Sequence, residues 1–236
     1  MPRRNRIRDH RQAAPQSNRR WISLGLITLG AVLIVGLLVV FNRPTQAPAQ
    51  TATDIAGAVI PSVPQPNGRS MGDANAPVKV DEYSDFQCPY CKQFFTNVEP
   101  TLITKYISTG KVLFTYNPFS FIGEESKLTA EAAFCAADQN KFWDMHFLIF
   151  NAQGAENSNI YTKASLVKMG SKIKFEDPAR FNDCLNTGKN SAKVDEANQK
   201  ATGLKVESTP SFFVNGKGPL SMNQLVAEID LALAGK

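Results

Sequence analysis

Two cysteines separated by two residues, Cys88-Pro89-Tyr90-Cys91, stand between two different hydrophobic patterns. Before them lies a mostly apolar run (Val78, Val80, Tyr83) that reads as a buried strand over 78–84. After them Phe94, Phe95, Val98, Leu102, Ile103 and Tyr106 recur on one face at a period near 3.6, the pattern of a helix. A strand running into a helix through this motif puts Cys88 at the helix N-terminus, where unpaired N–H groups and the helix dipole favour an anion. A thiolate is such an anion, so the Cys88 pKa is expected to fall from about 8.5 into roughly the 3.5–7.5 range of reactive cysteines. Its sulfur is expected to face solvent, whereas Cys91, one turn further in, is shielded. Cys91 is placed to attack any mixed disulfide that Cys88 forms. Zinc knuckles and structural disulfides use the same spacing, but beside a β/α pattern the motif is read as redox chemistry.

The elements that must position this pair follow from the remaining pattern. Pro100 is expected to kink or divide the helix after Cys91, because its ring clashes with the previous turn. Residues 111–116 read as a second strand (Val112, Phe114 and Tyr116 on one face), closed by Asn117-Pro118. Helical stretches follow at 126–139, 141–151, 163–171, 178–186 and 189–202. Residues 211–214 then read as a strand, Asn215-Gly216 as a hairpin turn and 222–233 as an amphipathic helix. The order βαβ, helices, β-hairpin, helix implies an α/β, thioredoxin-like sheet with a helical block inserted at about 122–203.

Charge and hydropathy divide the chain. The net charge of +5 over 236 residues misleads, since eight of the 26 basic residues and only one acid, Asp9, fall in the first 43 positions. The rest carries 18 basic against 20 acidic residues, which speaks against a nucleic-acid surface. Residues 21–41 are uncharged and apolar, and at about 1.5 Å per residue they span about 30 Å, a bilayer core. Seven arginines precede them, so residues 1–20 are expected to be cytoplasmic, 21–41 a single transmembrane helix, and all that follows extracytoplasmic. Ala47-Pro48-Ala49 loosely resembles a signal cleavage site, but signal h-regions are shorter, about 7–15 residues. Residues 42–75, with five prolines among Ala, Thr, Gln and Asn, read as a linker spanning roughly 30–35 Å. A single domain is then expected over 76–236, held within reach of the membrane.

Several stretches resemble the DsbA-like thiol–disulfide oxidoreductases. They are Ala76-Pro77-Val78, the run from Glu82 through Asp85-Phe86-Gln87 to Cys91, Ala133-Phe134-Cys135-Ala136, Lys141-Phe142-Trp143-Asp144-Met145-His146, and Ser208-Thr209-Pro210-Ser211-Phe212-Phe213-Val214-Asn215-Gly216. The resemblance covers about residues 72–235. It implies a thioredoxin fold with a helical insertion, dithiol–disulfide exchange with the thiols of exported proteins, and no cofactor or metal. It also implies reoxidation by a quinone-linked membrane partner of the DsbB or VKOR type.

The same resemblance assigns roles. Pro210 corresponds to the family's cis-proline beside the cysteine pair, and Pro89, Tyr90 and the Thr209 backbone are the expected substrate contacts. Glu82, six residues before Cys88, reads from its neighbours either as a solvated acid on an edge strand or as a buried carboxyl. The family's acid at this spacing implies the second, with a raised pKa and a proton relayed to Cys91. Cys135 and Cys184 make an even count of four in an oxidising setting, and some relatives carry such a second pair, so a structural disulfide is expected. Two buried free cysteines and a zinc site are the alternatives. His146, among Phe142, Trp143 and Phe150, reads as a packed core histidine. Tyr90 departs from the strongest oxidants, which carry His there. A milder potential is then expected, which leaves oxidase open against reductase or isomerase; the rival class is a non-catalytic thioredoxin-fold chaperone or metal-holding module.

Overall fold

The computed structural model describes residues 59–235. The expected cytoplasmic segment, the expected transmembrane span and the first part of the expected linker lie outside the described residues. Among those described, no helix is long and apolar enough to cross a membrane.

Strand β1 is Ser70–Met71 and β2 is Val78–Ser84. Helix α1 is Pro89–Asn97, with Pro89 in its first turn, where a missing N–H removes no helical bond. It stops at Val98, and Pro100 opens a new short helix, α2 (Glu99–Leu102), that runs into a π-helical turn at Ile103–Ile107. Strand β3 is Val112–Pro118. Five helices follow: α3 (Glu124–Ala137), α4 (Phe142–Ala152), α5 (Lys163–Gly170), α6 (Pro178–Thr187) and α7 (Ser191–Gly203). Strands β4 (Ser211–Val214) and β5 (Lys217–Leu220) form the hairpin, and α8 (Met222–Leu233) closes the fold.

The sheet order is β1-β3-β2-β4-β5, with β2 and β3 parallel and the other pairs antiparallel. β2 is therefore central, and an acid within it has no edge from which to reach water. Register places Val80, Phe114 and Val214 in one row, and Glu82, Tyr116 and Phe212 in the next. Since side chains alternate across a sheet, these rows share one face. That face is covered by α1, whose Phe94 packs on Phe114 and Phe212, and by α4, whose Phe142 and Trp143 meet Tyr116 and Phe114. Tyr83 and Phe213 point to the other face, where Ala201 of α7 and Val206 cover them. The thioredoxin-like α/β architecture with a helical insertion, α3–α7, is thus present.

The expected domain boundary at residue 76 is too late. Met71 is fully buried, β1 adds to the edge of β3, and Gly72 N–H donates to the Pro64 carbonyl at 2.9 Å. Trp143 Nε1 also donates to the Ser70 carbonyl at 3.0 Å. A segment poor in apolar residues cannot build its own core, but it can join an existing one through main-chain bonds and a single apolar anchor.

Candidate active site

Cys88 caps α1, with extended backbone angles and its carbonyl accepting from Lys92 N–H at 3.1 Å. Its thiol donates to the carbonyl of Thr209 at 3.3 Å, so the two sequence signals meet across the sheet end. The Thr209–Pro210 peptide bond is cis. The Cys88 pKa is lowered to about 6, first by a hydrogen bond from the Cys91 side chain. The Thr209 hydroxyl and the backbone N–H groups of Tyr90 and Cys91 add to this, against a desolvation cost. That hydroxyl is buried with no partner beside the neutral thiol, so its proton is free to turn to a thiolate.

The expectation of a solvent-facing Cys88 sulfur needs correction. Cys88 is 6% exposed and Cys91 0%. The Thr209 carbonyl sits on the Cys88 thiol, so the two cysteines differ less in access than in electrostatics. Burial pushes the Cys91 thiol well above its ordinary range, and the nearby Cys88 and Glu82 add to the shift.

Glu82 is buried on the face beneath α1 and has its pKa raised to about 8, chiefly by burial. The Ser84 hydroxyl offsets part of that shift and Cys88 adds to it. Near pH 7 the carboxyl therefore holds its proton beside Cys91. On the outside, Tyr90 is 63% exposed, Pro89 is also exposed, and Phe121 adds a second exposed ring.

Of the loop anchors at the site, Asp85 and Gln87 fall within the run that carries the resemblance, whereas Gln153 carries no sequence signal beyond its polar type. Asp85, buried, accepts from the backbone N–H groups of Gln87, Phe121 and Ile122 at 2.8, 3.0 and 3.2 Å. Gln153, at the end of α4, donates to the carbonyls of Phe86 at 2.6 Å and Cys88 at 3.1 Å. The insertion thus holds the loop that carries Cys88. Gln87 returns the contact, donating to Ser126 Oγ at 2.9 Å and accepting from Asn157 N–H at 2.7 Å.

Cys135 of α3 and Cys184 of α6 are joined by a disulfide within the insertion, apart from the Cys88–Cys91 pair. Asn190 Nδ2 donates to Cys184 Sγ at 3.2 Å and to Asp138 Oδ2 at 3.2 Å, filling the space beside the bond. Bonded sulfurs offer no thiolates to a four-cysteine zinc site. Among the described residues, no group of three or more His, Cys, Asp or Glu side chains gathers as metal ligands would. His146 is buried in an aromatic cage of Phe86, Phe95, Tyr116 and Phe150.

A family model described as thioredoxin matches residues 64–230. The probable disulfide bond formation protein D of Bacillus anthracis is 31% identical over 194 residues, covering 81% of this chain and 88% of that protein. Disulfide bond formation protein D of Bacillus subtilis is 31% identical over 152 residues, covering 62% of this chain and 67% of its own. The crystal structure of oxidised BdbD from Bacillus subtilis superposes with a TM-score of 0.66 at 24% identity, covering 75% of this chain and 99% of that one, a likeness of fold. With a matched family model over most of its length and relatives of this identity, the chain belongs to the DsbA-like thiol–disulfide oxidoreductases of the thioredoxin fold.

Proposed function

We propose that this enzyme introduces disulfides into exported proteins through the Cys88–Cys91 pair, outside the cytoplasm and anchored to the membrane by residues 21–41. The observation that carries the reading is the placement of Cys88 at the start of α1 against the Thr209 carbonyl, with Cys91 fully buried one turn further in; the Cys88 pKa is lowered and that of Cys91 raised accordingly. A substrate thiolate attacks Cys88, whose own thiolate is the stable leaving group when the mixed disulfide later resolves. Cys91 leaves as its sulfur takes a proton from Glu82, and the substrate's second thiol then attacks to release the substrate disulfide and Cys88. Pro89, Tyr90 and the Thr209 backbone line the approach and are the proposed substrate contacts, with Pro210 fixing the loop that carries Thr209. The disulfide of Cys135 and Cys184 is proposed as structural.

The anchor is supported by the uncharged run 21–41 and the seven arginines before it. With the domain tied outside, a quinone-linked membrane reoxidase of the DsbB or VKOR type is the proposed acceptor of its electrons. Tyr90 favours a second reading: a neutral phenol in place of a chargeable imidazole stabilises the thiolate less, which suits a milder oxidant or a reductase.

The test is trapping. Cys91→Ser should accumulate covalent adducts with exported proteins and Cys88→Ser none. Iodoacetamide should alkylate Cys88 with a midpoint near pH 6 and Cys91 hardly at all. If Cys91 is the more reactive thiol, the roles are reversed. The reduction potential of the pair separates oxidase from reductase.

A further inference from the structure

The core behind Cys91 holds more ionisable groups than the exchange above uses. Among the described residues five buried polar side-chain atoms gather in one cluster: Glu82 Oε2, Ser84 Oγ, Tyr116 Oη, Glu99 Oε2 and His146 Nε2. The single Ser84 hydroxyl is shared among Glu82, Tyr116 and Cys91, while Glu99 Oε2 and His146 Nε2 have no hydrogen-bond partner. The cluster is contiguous. Glu82 and Tyr116 are register partners on β2 and β3, the rings of Tyr116 and His146 meet edge-on at 5.0 Å, and Glu99 Oε2 lies 3.7 Å from His146 Nε2. Buried polar groups are almost always hydrogen-bonded, so an unpartnered Glu99 against an unpartnered His146 calls for an explanation.

Glu99 is the member least required by packing. It sits on α2 between Val98 and Leu102, both packed into the core, where an apolar side chain would carry no desolvation cost. It faces His146 from α4, whose ring meets Tyr116 of β3, and it lies near enough to Glu82 of β2 to feel its charge, as Cys91 of α1 does too. Lys92, the nearest cation along α1, turns away to the Phe150 carbonyl. Among the described residues no lysine or arginine pairs with Glu82 or Glu99. Burial, with Glu82 adding, holds the Glu99 pKa well above the carboxylate range, and burial lowers His146 to about 3. The 3.7 Å contact therefore joins a neutral carboxyl and a neutral imidazole, and is not an ion pair despite its distance.

Glu99 and His146 also line a cavity of about 410 Å³ walled by Phe95, Ile103, Trp143 and Phe147. This opening matters during turnover. Glu82 and Cys91 are both buried, so a proton for Cys91 has to reach it through neighbouring side chains.

We propose that Glu99, held against His146, is a positioning residue that passes protons between this cavity and Glu82, and so sets how fast Cys91 gains or loses its proton. The proposal rests on the reading that Glu82 serves Cys91. When a substrate thiolate attacks Cys88, a new S–S bond forms and the Cys88–Cys91 bond breaks, its electron pair leaving on Cys91. That sulfur takes the Glu82 proton. The Glu82 carboxylate is reprotonated from Glu99, and Glu99 from solvent in the cavity. Reoxidation runs the transfers in reverse.

The test uses full-length oxidised protein mixed with saturating reduced glutathione, in H₂O and D₂O, from about pH 5 to 9, a range that brackets the Glu82 carboxyl at about 8. Glu99→Gln and Glu99→Leu should slow reduction by about tenfold, below the roughly 10²–10⁴ of a directly acting general acid. They should also enlarge the solvent isotope effect and reshape the pH profile, with Cys88 alkylation and the melting temperature little changed. Glu99→Leu guards against a folding artefact, since it removes a buried polar group. Wild-type rates, isotope effects and profiles in both variants overturn the proposal, as does a rate loss that tracks melting temperature with no isotope change. Glu82→Gln separates the two levels. If it slows exchange while the Glu99 variants do not, only Glu99 loses its role; if it too behaves as wild type, the reading of Glu82 itself fails.

Discussion

The thiol of Cys88 and the carbonyl of Thr209, 121 residues apart in sequence, are held 3.3 Å apart at the end of the sheet. The contact makes the loop before β4 part of the thiol's electrostatic environment. It also leaves the buried Thr209 hydroxyl beside the sulfur, without an acceptor until that sulfur ionises.

Thr209→Val should therefore raise the Cys88 pKa by about one unit, because a hydrogen bond to a charged group is worth about 1.5–3 kcal/mol and part of it is recovered by solvent. Alkylation rate against pH reads this directly. An unmoved midpoint would mean that the hydroxyl never turns to the thiolate.

The redox state should change how stability depends on pH. Cys88 has a folded pKa of about 6, below the ordinary thiol value of about 8.5, so between those values the unfolded chain binds the extra proton. Stability of the reduced protein should then rise relative to the oxidised form as pH increases from about 6 towards about 8.5, by at most about 1.4 kcal/mol per unit. Urea melts of both forms measure it. Parallel curves would contradict a lowered Cys88.

Glu82 works in the opposite sense. Its folded pKa of about 8 lies above the ordinary 4.5, so its contribution is fully present below pH 4.5 and is lost as pH rises towards 8. Wild type should lose stability relative to Glu82→Gln over that window, by up to about 1.4 kcal/mol per unit. Equal slopes would show a carboxyl that is already ionised in the folded protein.

Replacing both Cys135 and Cys184 by Ala removes a cross-link between residues 49 apart. A loss of roughly 2–4 kcal/mol is expected, with most turnover spared at temperatures where the variant stays folded. Loss of turnover at unchanged stability would put this pair on the electron path.

Cys88-Pro89-Tyr90-Cys91 between a period-2 and a period-3.6 pattern determined the helix start and which cysteine sits at it, because both depend on a few consecutive residues. Local rules also located the break before Pro100, the five insertion helices and the hairpin at Asn215-Gly216. Strand β1 escaped them, since two residues have no periodicity and gain their stability from β3. What only the tertiary structure decided is burial and long-range contact. It makes β2 central and Glu82 waterless, brings Thr209 to Cys88 and Gln153 to the loop beneath it, and sets Glu99 against His146. None of these partners is near in sequence, and the pKa of a buried group depends on every element packed around it.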